Sequence, residues 1–317
     1  MATKTRTTTT IKESKEVPAT NGAAASNRLS VLKTYKIYLG GKFPRTESGR
    51  YYTPLDKQGN KIANICLSSR KDVRNAVVAA RKAFEGWSGA TAFNKSQILY
   101  RIAEMLETRK AQFVEELMQQ GSTKAEAEKE VILSIETLVY YAGWADKFQQ
   151  VFSSVNPVSG SYFNFSVYEP MGVVGVIAPE NTSLLGLVQS IAPVVVGGNT
   201  CVVLASESLP LCAITFSEVL HTSDVPAGVV NVLTGKLPEL LEHFGSHMDI
   251  NAVLYNRNDK KNLTTLEELA VNNIKRIRSY ISNNKMTDNG PYKILDFQEV
   301  KTTWHPIEVI GASGSGY

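Results

Sequence analysis

Hydrophobic and polar positions change period along this chain. Over residues 71–152 apolar side chains recur at helical spacing: Val73, Val77, Ala80 and Phe84 first, then Ile98, Ile102, Met105, Leu106, Phe113 and Leu117 across 94–119. A third run, 126–152, carries Tyr140, Tyr141 and Trp144. Three long helices with core-facing aromatics are predicted. In SYFNFSVYEP the period drops to two, with Phe163, Phe165 and Val167 on one face and Tyr162, Asn164, Ser166 and Tyr168 on the other. Asn156-Pro157 and Ser159-Gly160 supply turn signals before it, so an exposed hairpin is expected. Upstream, YKIYLGGKF alternates around a Gly-Gly turn, and the stretch to Cys66 reads as short strands.

From Met171 onward near-continuous apolar runs alternate with helical segments: GVVGVIAP, TSLLGLVQSIAPVVVGG, TCVVLAS, LPLCAITFSEVLHTS, GVVNVLTG, LPELLEHFG and INAVLYN. Apolar strands separated by helices mean an α/β fold with a parallel sheet covered on both faces. Such a sheet presents ligands at the carboxyl ends of its strands. Residues 262–281 read as one more helix, and ILDFQEVKTTWHPIEV as an extended arm.

Composition narrows the functional classes. The longest apolar stretch, near Ile191–Leu204, is broken by Pro193 and Gly197-Gly198-Asn199, so no membrane span is expected. Of the net charge of +4, most sits in residues 1–30, where Lys4, Arg6, Lys12, Lys15 and Arg28 face only Glu13 and Glu16. The rest has no basic face for nucleic acid. The tail is rich in Thr, Ala and Ser and is expected to be disordered. Cys66, Cys201 and Cys212 have no CxxC spacing and fit a reducing, cytoplasmic setting. His243 and His247 have i,i+4 spacing, but Gly245 lies between them and no HExxH pattern accompanies them, so no metal site is expected.

EPMGVVGVIAPEN, the Ala-Pro and Gly-Gly-Asn-Thr of IAPVVVGGNT, PAGVVNVLTG and FQEVKT together resemble the aldehyde dehydrogenase superfamily, from about Tyr35 to Tyr255 and again near the C-terminus. The resemblance implies a Rossmann-like NAD(P)-binding-type domain, here 31–152 and 169–281, and a small β oligomerisation arm, here 153–168 and 292–317. It also implies a catalytic domain inserted late in the chain. The interval from Tyr255 to Phe297 leaves too little room for one, so that domain is expected to be absent.

Family chemistry is depleted accordingly. No GQxC-like context surrounds any cysteine, and LEELAVNN preserves no Gly-Gly of the family's ELGG motif. Covalent aldehyde oxidation needs a thiolate, a base and a hydride acceptor in one geometry. The family's VVLKPSE reads VVLASES, with Ala205 at the lysine position and Ser208 at the glutamate position. Its TGxGxxxG turn keeps Gly235 but has Leu237 and Leu241 for the later glycines. Its FTGS becomes YNRN, placing Arg257 and Asn258 where Gly-Ser faces the pyrophosphate; Arg257 retains a capacity to attract phosphate. Asn181 matches the asparagine that holds the oxyanion, and without a nucleophile it is expected to cap or order its turn. Its tryptophan neighbour is Glu180 here.

The resemblance extends to the degenerate second unit of two-unit aldehyde dehydrogenases. It implies a catalytically inactive protein without a cofactor, acting through its arm as a homodimer or in a hetero-oligomer with a full-length aldehyde dehydrogenase. The alternative is a component that binds NAD or NADP, with Gly235 and Arg257 as its remaining contacts, and works with a partner's catalytic cysteine. A third reading is a module for another nucleotide or an acyl group, with Glu180 as a new polar contact.

Overall fold

Short strands open the described part of the chain. The computed structural model describes residues 31–280 and 289–307; the predicted N-terminal tail and the last residues of the arm lie outside them. Strands β1 (Thr34–Tyr35), β2 (Tyr51–Tyr52) and β3 (Asn64–Cys66) form a small mixed sheet. Helices α1 (Arg70–Ser88), α2 (Ala92–Thr108), α3 (Lys110–Gln119), α4 (Lys124–Trp144) and α5 (Phe148–Phe152) follow. The run over 94–119 is thus two helices, broken at Arg109 (φ −99, ψ 11). Phe113 and Leu117 are buried beyond the break, so the apolar spacing continues across a change of axis that periodicity alone does not register.

Strands β4 (Ser154–Asn156) and β5 (Tyr162–Pro170) make the expected hairpin. Then come β6 (Val173–Ile177), α6 (Leu185–Val196), β7 (Thr200–Leu204), α7 (Leu211–His221), β8 (Val230–Leu233), α8 (Leu237–Ser246) and β9 (Ala252–Tyr255). The remaining elements are α9 (Lys260–Ala270), β10 (Arg276–Arg278), α10 (Tyr292–Leu295) and β11 (Gln298–Pro306). The main sheet is wholly parallel, in the order β10-β9-β6-β7-β8. The helix predicted over 262–281 therefore ends early. A left-handed Ile274 (φ 54) stops it, and Arg276-Ile277-Arg278, too short to reveal a period of two, extends the sheet beside β9.

Strand alternation divides the core in two. Val173, Ile177, Val202, Leu204 and Val253 pack with Val77 of α1 and Phe244 of α8. Val174, Val176, Val203 and Leu254 face the other way, among residues of α2, α4, α6 and α7. Tyr38 pairs with Val232 on β8, partly covering that strand's outer edge. Among the described residues no helix is long and apolar enough to cross a membrane.

In the arm, β11 lies antiparallel along β5 from Gln298 opposite Pro170 to Pro306 opposite Tyr162. The period of two in β5 holds, but its polarity is not the one its composition suggests: Asn164 is buried and Phe163 is 46% exposed. Asn164 accepts a hydrogen bond from Asn156 Nδ2 (2.6 Å), which also reaches Ser166, and Ser166 bonds Thr302 on β11. The Asn164 face of this small sheet is thus tied by polar side chains.

One buried acid sits in the core with half of its carboxylate unpartnered. Tyr35 Oη and Thr215 Oγ1 both donate to Glu116 Oε1, at 2.8 and 2.7 Å, while Oε2 has no partner. Burial pushes the Glu116 pKa up, and the two hydroxyls and Lys33 only partly oppose this. Its contribution to stability is fully present below the ordinary carboxylate range and is lost as pH rises through the raised value. Glu116→Gln, which keeps the shared acceptor, is expected to abolish that loss. Urea titrations at pH 5 and pH 8 would check it: the wild type weakens relative to the variant at the higher pH.

Candidate functional site

The sheet order reverses beside β6, which leads to β7 and β8 on one side while β9 and β10 lie on the other. A crevice opens at the carboxyl ends of strands where such a reversal occurs. Here it is a cleft of about 1170 Å³, floored by the residues that follow β6, β7 and β9.

Pro179 lies just past the end of β6 and precedes Glu180, whose side chain reaches the residues that follow β7. The Glu180 carboxylate lies 2.5 Å from Arg257 Nη1. It accepts from the backbone N–H groups of Glu207 and Ser208, each at 3.1 Å, and from the hydroxyls of Ser206 (2.9 Å) and Ser208 (2.8 Å). Arg257 donates in turn to the carbonyls of Ala178 and Ala205, at 3.1 Å each, and is 9% exposed. Consecutive amides beside a guanidinium make a ready anion site. The chain fills that site with its own carboxylate. Burial pushes the Glu180 pKa up, but Arg257 and the amide and hydroxyl donors outweigh it, so the group lies below the ordinary carboxylate value. Burial likewise lowers the Arg257 pKa, opposed chiefly by Glu180.

The residues singled out from sequence take different places. Arg257 is in the cleft, but its charge is committed to Glu180 and not held free for a phosphate. Ser208 serves as a donor to the same carboxylate, and Ala205 is buried with its carbonyl on Arg257. Gly235 does not line the cleft: a Cβ there would lie 3.1 Å from Leu240 and 3.4 Å from the Ser68 amide, so its smallness serves packing. Leu237 does line it, and Pro238 beside it has no N–H to offer at the start of α8. Leu241 instead packs into the core. Asn258 is exposed on the lining.

Asn181 also lines the cleft and is exposed, and its amide has no hydrogen bond among the described residues. It does not cap its turn. Glu130 of α4 does so, with Oε1 accepting from the N–H groups of Ser183 (3.2 Å), Leu184 (2.8 Å) and Leu185 (3.1 Å). Thr182 accepts from Gly186. Nothing local in the sequence links Glu130 to a helix that begins at Leu185.

No thiol is among the described residues lining this cleft. All three cysteines of the chain are buried, and burial pushes the Cys201 and Cys212 thiols well up. No cysteine, histidine or lysine is among the described residues lining the cleft. Helix α8 ends at Ser246, and His247 is extended (ψ 119), so the helical spacing of His243 and His247 is broken. Among the described residues no group of three His, Cys, Asp or Glu is placed to hold a metal ion.

Comparison with known proteins agrees with this architecture. The profile of the aldehyde dehydrogenase family matches residues 44–256. Cytosolic 10-formyltetrahydrofolate dehydrogenase of Mus musculus is 29% identical over 259 residues, 80% of this chain and 29% of that protein. Omega-crystallin of Enteroctopus dofleini is 29% identical over 281 residues, covering 87% of this chain and 56% of its own. The NAD+ complex of an aldehyde dehydrogenase from Bacillus cereus superposes with a TM-score of 0.74 at 25% identity, over 78% of this chain and 50% of that one. The chain thus spans from under a third to just over half the length of these relatives. With the family profile matched across both core layers and the sheet superposed on that dehydrogenase, the chain belongs to the aldehyde dehydrogenase family.

Proposed function

We propose that this protein is a catalytically inactive aldehyde dehydrogenase-like subunit that acts by assembly through its three-stranded arm, without a bound cofactor. The observation that carries this reading is the Glu180 carboxylate seated on the amides of Glu207 and Ser208 and on Arg257. A dinucleotide's phosphates would need those donors, and they would meet Glu207 and Asp259 on the same lining. The residues present do not fit NAD or NADP. The buried state of every cysteine supports inactivity, because only an accessible thiolate attacks an aldehyde. Residues 256–297 hold α9, β10 and α10 among those described, where the family inserts its catalytic domain. The name of the mouse relative supports a cytosolic location.

Assembly is supported by the arm. Strand β11 has no partner on its outer side among the described residues, and Val300 and Trp304 on it are 55% and 59% exposed. A strand edge of that kind accepts a further strand through main-chain hydrogen bonds. The partner is a second copy or a full-length aldehyde dehydrogenase. Sedimentation of the chain alone and co-expressed with such an enzyme is expected to give a dimer or a mixed complex. Trp304→Lys is expected to weaken either by about tenfold, the order of one lost interfacial hot spot. A monomer under both conditions overturns the proposal.

Asn181 supports a second reading, because its free amide is retained where an oxyanion would be held. That reading requires a bound dinucleotide and a partner's cysteine. Calorimetric titration with NAD and NADP decides between the two: no heat at millimolar concentration is expected, and micromolar binding favours the second.

A further inference from the structure

The outer edge of β11 has a fixed phase and two closed ends. Toward β5, the Phe297 carbonyl accepts from the Met171 N–H (3.4 Å) and the Ile307 N–H donates to the Ser161 carbonyl (2.9 Å). Main-chain groups two residues apart on a strand face the same side, so the odd-numbered positions of β11 face β5. The even-numbered ones, Gln298, Val300, Thr302, Trp304 and Pro306, face outward. Arg276 closes one end of that edge, its Nη1 donating to the Gln298 carbonyl (2.8 Å). Pro306 closes the other, because it has no N–H. Between them the main-chain groups of Val300, Thr302 and Trp304 make no outward hydrogen bond among the described residues. The open stretch is centred on Thr302.

We infer that β11 pairs with β11 of a second copy of this chain, antiparallel about a twofold axis at Thr302, so that two three-stranded arms make one continuous sheet. The inference rests on the assembly proposed above and names its partner and register.

Twofold pairing must keep the faces of the two strands matched, so its centre falls on a residue. Centred on Thr302, all three open positions exchange hydrogen bonds, about six in total. Val300 then stands opposite Trp304 of the second copy, apolar against aromatic, and Lys301 opposite Thr303. Trp304 is already held for this by the edge of the Tyr162 ring, with centroids 5.8 Å apart. A centre at Lys301 would set two lysines face to face and leave Trp304 opposite the closed Gln298. A centre at Thr303 would set Lys301 against His305 and Val300 against Pro306, which cannot donate. Only the Thr302 register satisfies the edge without opposing like groups.

Sedimentation of the full chain is expected to give a dimer, and Thr302→Pro to weaken it about thirtyfold, the scale of two lost main-chain hydrogen bonds. The Thr302 N–H points away from β5, so the ladder within the arm keeps its bonds. Cysteine variants read the register without a proline. Lys301 and Thr303 of the second copy would have Cα atoms about 4.5 Å apart, within disulfide reach. The chain's own cysteines are all buried. Under mild oxidation an equimolar mixture of Lys301→Cys and Thr303→Cys is expected to form a disulfide dimer, and neither variant alone. Cross-linking of either variant alone as readily as the mixture assigns another register and overturns the inference. So does a wild-type dimer that ignores Thr302→Pro and that the mixture fails to cross-link, or a complex formed with a full-length aldehyde dehydrogenase only. Those outcomes leave the proposed assembly standing; a monomer under every condition removes both.

Discussion

Glu180→Ala is expected to destabilise the fold by about 2–3 kcal/mol, because it leaves the Arg257 guanidinium in a site that is almost closed to water, without its counter-ion. The figure sits at or below the lower end for a broken buried pair because the Glu180 side chain is 36% exposed and solvent already screens part of the interaction. A fall in Tm of roughly 3–5 °C corresponds to it at this chain length. In Glu180→Ala/Arg257→Met about 1 kcal/mol or more is expected to return, since no charge is then stranded. The acid limb moves as well. The folded pKa of Glu180 lies below its ordinary value, so the stabilisation is present above the ordinary carboxylate range and is lost as pH falls through the depressed value. Thermal melts of the wild type, both single variants and the double variant give the cycle.

The same variant tests what the carboxylate replaces. With Glu180 gone, Arg257 and the N–H groups of Glu207 and Ser208 form an unoccupied anion site at the surface of the cleft. Inorganic phosphate is expected to raise the Tm of Glu180→Ala above that seen with chloride at equal ionic strength, through binding linked to folding. The wild type should show no such difference. Equal stabilisation of both by phosphate would mean a general salt effect and would remove the idea that Glu180 stands in for a ligand anion.

These relations were partly legible in the sequence. The apolar runs of β6, β7, β8 and β9 identified a parallel sheet because burial on both faces suppresses alternation. The departures from the family pattern were legible at Ala205 and Leu237, since a methyl group carries no ammonium and a leucine fills the space a glycine leaves open. The contacts that stand in this cleft were not. Glu180 and Arg257 are separated by most of the α/β half of the chain, and only the adjacency of β6 and β9 brings them together. Arg257 read in isolation is a phosphate ligand; beside Glu180 it is half of an ion pair. Glu130, three strands and two helices before α6, caps that helix through a tertiary approach of α4 that no capping pattern encodes. β10 escaped because three residues carry no period.

The second large effect is expected at Asn199, and it gives a structural reason for the Gly-Gly-Asn-Thr turn. Asn199 is wholly buried. Its Oδ1 accepts from the Gly172 N–H (3.0 Å), where β5 passes into β6, and its Nδ2 donates to the carbonyl of Phe297 (2.9 Å), where the arm begins. Gly198 before it is left-handed (φ +88), and a Cβ there would lie 3.2 Å from Lys95 Nζ and 3.3 Å from Pro170, so the turn accepts little else. Gln298 Nε2 adds a bond to the Gly197 carbonyl (3.0 Å). One amide therefore joins the sheet, the hairpin and the arm. Asn199→Leu strands the buried Gly172 N–H and removes one of the two hydrogen bonds on the Phe297 carbonyl, which keeps the Met171 N–H (3.4 Å), at a cost of about 1–3 kcal/mol. The loss should be concentrated in the arm. Hydrogen exchange is expected to lose protection along β11 and β5 before β6 or β7, and any assembly that depends on β11 should weaken in step. Uniform loss across the sheet would instead assign Asn199 to the core alone. The polar residue within an otherwise apolar strand entrance is thus explained by what it fastens, because an arm that among the described residues pairs with its own hairpin alone needs an anchor to hold its outer edge at a fixed position.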